Sequence, residues 1–250
     1  MIDSHCHLDA CEPPDAHLVE RAREAGVDRI ATVGTDVASI ARALGAARAH
    51  EEVVAIVGRH PHETTGFDAA GLEEIERAAA DPGARAIGET GLDYYRDHAP
   101  RDDQRRAFEA QLELAERLGL PVAIHSRAAE EDTFAILREH AAHLPAVIMH
   151  CFSAPSRIAE CVERQYLCSF AGNVTYPKAT DLQAAAREIP AELLLVETDA
   201  PYLSPQPVRG KPNEPANVPH TARFVAGLRE VSYEDFERTV EANAARVFRW

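Results

Sequence analysis

Short apolar runs recur along the chain, and stretches of helical periodicity lie between them. The runs read as strands near 2–7, 29–34, 53–59, 85–89, 121–125, 146–150, 166–171 and 193–198. Helical spacing falls near 15–25, 36–50, 68–80, 101–118, 128–141, 155–164 and 178–188, then twice more near 219–229 and 233–248. Asp36 is the expected N-cap of the second helix, and Ser232, with Asp235 three residues on, opens the last. Asp81-Pro82-Gly83 is a strong stop after the third. The fourth sets Phe108, Leu112, Ala115 and Leu118 at core-facing spacing, with Gly119 just beyond its end. Strands alternating with helices over 250 residues predict a (β/α)8 TIM barrel, in one domain covering 1–250. A doubly wound open sheet is the rival. It would want a glycine-rich loop after the first strand, where His5-Cys6-His7 stands instead.

Composition narrows the classes. Hydrophobic content of 46% with 27% charged residues is that of an ordinary globular protein, and no run approaches the length of a membrane span. Five scattered cysteines without a Cys-x-x-Cys pair point to reduced thiols and a cytoplasmic setting. Cys6, Cys151 and Cys168 fall on or beside strands, where small apolar packing is the expected role. A net charge of −15 argues against wrapping duplex nucleic acid, because such a surface repels a polyanion. It leaves room for a narrow site where metal ions and a few arginines neutralise one phosphate.

The candidate chemistry begins in Ile2-Asp3-Ser4-His5-Cys6-His7-Leu8. Strand side chains alternate faces, so His5 and His7 share a side, about 7 Å apart along the strand, with Asp3 one step further back. Taken alone, the pair reads equally well as two unrelated surface histidines. Later strand ends change that: Arg59-His60-Pro61-His62, Gly88-Glu89-Thr90-Gly91-Leu92-Asp93, His125-Ser126-Arg127, His150-Cys151-Phe152-Ser153 and Glu197-Thr198-Asp199-Ala200-Pro201. Catalytic residues of a TIM barrel sit at those C-terminal strand ends. Four histidines and two or three carboxylates on one rim are too many for one ion. They suit two divalent ions bridged by a carboxylate, about 3.5–4 Å apart. Barrel hydrolases often bridge such ions with a carboxylated lysine on strand 4, but the only lysines here are Lys178 and Lys211. Glu89 takes that position and can supply both oxygens itself.

These motifs, extended by Tyr94 in the fourth-strand run and by Tyr202-Leu203 after Pro201, resemble the signatures of the TatD family of metal-dependent deoxyribonucleases. The resemblance runs from the first residues to Asn243 and Phe248. It departs in two places: Ala154-Pro155 follows the His150 motif where a glycine is usual, and Thr90 stands where an apolar residue is common. It implies a TIM barrel of the metal-dependent hydrolase type. It further implies that His5, His7, Glu89 and Asp199 hold one ion, while Glu89, His125 and His150 hold the other. Histidine with carboxylate suits zinc, manganese or nickel, and magnesium less well. Metal-bound water is acidified and attacks phosphorus, with Asp199 the candidate proton acceptor and Glu89 the shared catalytic carboxylate. Glu197, one step deeper on its strand, is expected to orient a ligand. Asp3 has the same candidate role or that of a buried structural carboxylate.

Beside the rim, His62 and Arg127 are candidates for contact with substrate phosphate; a turn residue and a solvated arginine are the alternatives. His60 reads as a ligand neighbour or a rim filler. The proline-rich loop from Ser204 to Pro219 is long for a barrel loop and carries Arg209-Gly210-Lys211, a basic cluster on an acidic protein or a stiff connector with incidental charge. Tyr94 and Tyr95 are placed either to stack on a base or to pack against the rim. The expected function is metal-dependent hydrolysis of phosphodiesters, with single-stranded DNA ends as substrate and, from the resemblance, trimming in the 3′ to 5′ direction. No membrane and no obligate protein partner are implied. A metal-dependent ester or amide hydrolase is the nearest rival, and a catalytically silent metal or nucleic-acid binding protein is a rival of another class.

Overall fold

The computed structural model describes all residues from Met1 to Trp250. Eight parallel strands form one sheet in sequence order. They are β1 (Ile2–Cys6), β2 (Arg29–Gly34), β3 (Val53–Val57), β4 (Ala84–Asp93), β5 (Val122–Arg127), β6 (Val147–Met149), β7 (Leu167–Phe170) and β8 (Leu194–Val196). Each of the first seven is followed by one α-helix: α1 (Asp15–Glu24), α2 (Val37–Ala49), α3 (Ala69–Ala79), α4 (Arg101–Leu118), α5 (Glu130–His140), α6 (Ile158–Glu163) and α7 (Thr180–Glu188). Two, α8 (Val218–Leu228) and α9 (Tyr233–Phe248), follow β8. This is the (β/α)8 TIM barrel that the alternation predicts. No helix is long and apolar enough to cross a membrane.

Local chemistry sets the helix ends. Asp36 and Ser39 form a reciprocal capping box at α2, and Ser232 accepts the Asp235 N–H at the start of α9. At the end of α4, Gly119 turns left-handed at φ 63°, and the Leu120 N–H donates to Ala115 O. This ending explains one departure from the apolar pattern. Phe108, Leu112 and Ala115 are buried as expected, but Leu118 is 38% exposed. The chain reverses at Gly119 and Leu120 packs against the core, so the last turn of the stripe is left in solvent. The third-helix end at Asp81–Gly83 and the free, buried Cys6 and Cys168 also follow the sequence reading; Cys151 is only partly buried.

The seam between β1 and β8 is closed by specific polar contacts. The His7 N–H donates to Ala200 O at 2.8 Å, and the Asp199 N–H to His5 O at 2.9 Å. Asp3, fully buried, accepts from the Thr198 N–H at 2.8 Å and from the Thr198 hydroxyl at 2.5 Å. Asp3 therefore ties the two strands together. Its hydrogen-bond partners are the His5 and Thr198 N–H groups and the Thr198 hydroxyl, and none is an imidazole side chain.

β4 is the longest strand, at ten residues, and its pairing with β5 shifts register between Ile87 and Thr90. Such irregularities re-aim side chains. Two glycines make this one sterically possible. Gly88 and Gly91 have φ of 139° and 140°, and a Cβ at Gly88 would lie 2.7 Å from Ala123 O. At Gly91 a Cβ would collide with the carbonyl oxygen of His125 itself. Gly91→Ala should therefore cost at least about 2 kcal/mol through strain and overpacking. Gly45, exposed in α2 with nothing near its missing Cβ, should tolerate alanine with a gain of about 0.5–1 kcal/mol. Thermal unfolding of the two variants checks the contrast; equal shifts would remove the steric account of Gly91.

Candidate metal centre

The barrel's strand ends place a ring of imidazoles around one carboxylate. β1 supplies His5 and His7, β4 supplies Glu89 and β5 supplies His125, while His60, His150 and Asp199 follow β3, β6 and β8. Glu89 Oε2 lies 3.3 Å from His5 Nε2 and 3.7 Å from His7 Nε2. Glu89 Oε1 lies 2.6 Å from His125 Nδ1, 3.3 Å from His150 Nε2 and 3.6 Å from His60 Nε2. Asp199 Oδ1 is 3.6 Å from His7 Nε2. The donors fall into three overlapping groups, each within 4.8 Å: His5, Glu89 and His150; His5, His7 and Asp199; His60, Glu89 and His125.

All six residues expected to ligate metal are thus brought together. The grouping differs from the expected one in two respects. His150 stacks on His5, with ring centroids 3.5 Å apart, and shares a group with it rather than with His125. His60, left open between two readings by the sequence, joins the inner ring.

The electrostatics favour cations at this point. Burial pushes the Glu89 carboxyl up, but His150, His60, His125 and His5 outweigh it and hold the group well below the usual carboxylate range. Burial opposes charge on His150 as well, yet Glu197 and Glu89 carry its pKa up to about 10. His7 and His125 are likewise raised against burial, by Asp199 and Glu89 for the first and by Asp93 and Glu89 for the second. His5 and His60 are lowered, chiefly by burial, and are held as neutral rings with a free lone pair. Acidic groups thus draw positive charge into a buried pocket, and a divalent ion can take the place of those protons.

Unsatisfied atoms test the fit independently. Both ring nitrogens of His5 are buried without a hydrogen-bond partner of acceptable geometry. Leaving such a group unpaired costs about 1–3 kcal/mol, which a bound cation at Nε2 would offset. Nitrogen and carboxylate donors within one small sphere are the donor set of a borderline divalent metal. The residues fit the group.

Behind the ring stand carboxylates that hold its imidazoles. Glu197 Oε1 lies 2.8 Å from His150 Nδ1 and accepts the Cys151 N–H at 2.8 Å. Asp93 does more and was missed as a site residue. Fully buried, its Oδ2 lies 3.1 Å from His125 Nε2 and 3.0 Å from His62 Nε2, and its Oδ1 accepts the N–H groups of Tyr95 and Arg96. With Nε2 of His125 engaged by Asp93, Nδ1 is the nitrogen that faces Glu89. The signal was present: Asp93 closes the fourth-strand run, four residues after Glu89.

The peripheral candidates lie further out. His62 is bound to Asp93 through Nε2, so only its Nδ1 is free to meet a ligand. Arg127 is exposed, with its guanidinium carbon 4.3 Å from the centre of the Tyr95 ring. Arg209 lies over Tyr176 at 4.2 Å, and Lys211 is exposed. Neither the Arg209–Lys211 pair nor Arg127 touches the inner ring, and none of the three is paired with a carboxylate.

The match with known proteins is consistent along the whole chain. Residues 2–249 match the model of the family described as TatD related DNase. This chain belongs to that family. It is 39% identical to the uncharacterized metal-dependent hydrolase YabD of Bacillus subtilis strain 168, over 100% of this chain and 99% of that one. It is 35% identical to the 3′-5′ ssDNA/RNA exonuclease TatD of Edwardsiella piscicida, covering 93% and 92%. Among solved structures, the TatD homologue YJJV of Escherichia coli K12 superposes with a TM-score of 0.93 at 28% identity, covering 100% of this chain and 98% of that one. The protein is therefore a metal-dependent hydrolase of the TatD family, with a barrel of the same kind.

Asp93→Asn keeps the shape and one acceptor oxygen but not the charge shared by two imidazoles. It should weaken divalent-metal affinity about 10–100-fold. Titration calorimetry with zinc or manganese reads this directly, and unchanged affinity would reduce Asp93 to a loop anchor.

Proposed function

We propose that this protein hydrolyses phosphodiester bonds of single-stranded nucleic acid, DNA foremost, trimming from the 3′ end. In this reading His5, His7, Glu89 and Asp199 would hold one divalent ion, and a second would be held by Glu89 with His125 and His150, whose ring nitrogens both face Glu89 Oε1, and with His60 beside them. The observation that carries it is the buried carboxylate of Glu89, faced by imidazole nitrogens at both of its oxygens. A bridge of this kind suits two ions. When bound, such ions lower the pKa of water and neutralise charge on phosphoryl oxygens.

The protein's own groups divide the remaining work. Among the carboxylates at the centre, Asp199 is the accessible one: its side chain is 14% exposed, against 3% for Glu89 and 0% for Glu197. Its backbone sits in the left-handed region at φ 53°, a conformation unusual outside glycine and concentrated at functional sites. The Asp199 carboxylate accepts the proton of the attacking water. The water oxygen bonds to phosphorus as one ester P–O bond breaks, and the proton passes to the departing alkoxide. Glu197 and Asp93 keep His150 and His125 oriented while this happens.

Three rim cations without carboxylate partners, Arg127, Arg209 and Lys211, favour an anionic substrate over a neutral ester or amide. A net charge of −15 argues against attraction through a broad basic face, and this reading places binding at the barrel mouth. The name of the Edwardsiella relative supports both single strands and the 3′ to 5′ direction.

Hydrolysis should vanish on chelation and return with added divalent metal. In the reconstituted protein, Asp199→Asn should lower kcat about 10²–10⁴-fold with a smaller change in KM. A raised KM at normal kcat would make Asp199 a substrate-binding group instead. End-labelled single strands should give a ladder of products, each one nucleotide shorter. Equal cutting of closed circles and linear strands would overturn the end-trimming reading, and turnover of esters alone would overturn the phosphodiester reading.

A further inference from the structure

Six tyrosines occur in the chain, and four use their hydroxyls inside the protein: Tyr94 on Asp132, Tyr166 on Leu137 O, Tyr176 on Ser204 O and Tyr233 on Glu237. Tyr95 and Tyr202 make no such bond. They are 64% and 58% exposed, the only aromatic residues among the large exposed apolar side chains. An aromatic side chain left in water forgoes a large burial gain. Tyr202 stands against His7, and the Tyr95 N–H donates to Asp93, the carboxylate beside His125.

Their placement follows from the row of rings between them. Tyr202 meets His7 edge-on, with centroids 6.2 Å apart. From His7 the row runs to His5 at 5.2 Å, to His150 at 3.5 Å and to His125 at 6.4 Å. Two residues beyond His125, Arg127 accepts the Tyr94 N–H through its carbonyl and lays its guanidinium over Tyr95. One tyrosine therefore belongs to the β8–β1 side of the barrel mouth and the other to the β4–β5 side. The imidazoles and Glu89 lie between them.

We propose that Tyr202 and the Tyr95–Arg127 pair are stacking platforms for nucleobases on either side of the phosphodiester at the centre, so that the site selects unpaired strands by the faces of their bases. The proposal rests on the phosphodiester reading above. It follows from chemistry as much as from position. Every base has a π-face, stacking on an aromatic ring is tolerant of sequence, and it strengthens binding about 5- to 150-fold per base. Base faces are open in a single strand and covered in a duplex. Stacking also needs little help from charge, which suits a protein of net charge −15. The Arg127 guanidinium adds a planar cation beside the second platform, where it can meet either a base or the adjoining phosphate.

The test compares an oligothymidylate with the same strand made abasic at the nucleotides flanking its terminal bond. The metal-loaded wild-type protein should prefer the intact strand in kcat/KM by at least about tenfold. Tyr202→Ala and Tyr95→Ala should each shrink that ratio, and the double variant should bring it near one. Tyr202→Phe and Tyr95→Phe, which keep the ring and lose the hydroxyl, should preserve it. The same ratio should appear in Kd, read by fluorescence anisotropy in chelator where no strand is cut, and should change little between low and high salt. A wild-type protein that treats the two strands alike, or alanine variants that keep the full preference, would overturn the platforms. If no strand is hydrolysed at all, the phosphodiester reading fails separately. The anisotropy ratio then still decides the platforms: its presence in wild type and loss in the alanine variants support them, and its absence overturns them.

Discussion

A carboxylate buried among imidazoles is the constraint around which this barrel mouth is built. Glu89 is 2% exposed, yet its two oxygens are faced by histidines that arrive from β1, β3, β5 and β6. Burial alone would keep the acid neutral; the surrounding rings keep it ionised instead. The same carboxylate raises the affinity of those rings for positive charge. Donors and charge are thus concentrated at a point that only several strand ends together can define.

The scaffold meets this demand with a few local devices. Gly88 and Gly91 let β4 shift register against β5 and carry Glu89 past the backbone of Ala123 and His125. Asp3 locks β1 to β8 through Thr198, which holds His5 and His7 on one side of the seam and Asp199 on the other. Behind the inner ring, Glu197 lies 2.8 Å from His150 Nδ1 and Asp93 lies 3.1 Å from His125 Nε2. Exposure grades outward from Glu89 through Asp199 to Arg127 and the two open tyrosines. A buried binding centre and an accessible reaction face are therefore distinct layers of one rim.

Most of this was legible in the sequence because it is periodic or chemically unmistakable. The apolar runs placed all eight strands, and the fourth and ninth helices run over 101–118 and 233–248 as the spacing predicts. Histidines and carboxylates at successive strand ends identified six members of the centre. What escaped notice depends on side-chain direction rather than residue type. Asp93 looked like the tail of a motif, and only its turn inward toward His62 and His125 makes it a support for the centre. His60 reads in sequence as a proline-flanked loop residue, and its reach to Glu89 is set by how β3 ends. Leu118 lost its place in the core to Leu120 because a left-handed glycine lies between them. Tyr202 was only part of a signature until its exposure and its contact with His7 were known. The Arg209–Lys211 cluster stands outside the inner ring, with its arginine stacked on Tyr176, a placement set by how the loop after β8 folds and not by residue type.

One shared bridge makes a sharp demand on stoichiometry. If Glu89 serves two ions, removing its charge must affect both at once, whereas loss of a single histidine affects mainly one. Bound zinc or manganese per chain, measured by elemental analysis after equilibrium dialysis of the wild-type protein and of Glu89→Gln, tests this directly. The account predicts two ions per wild-type chain and the loss of both in Glu89→Gln. A single ion in the wild-type protein, or two ions retained by the variant, would contradict it.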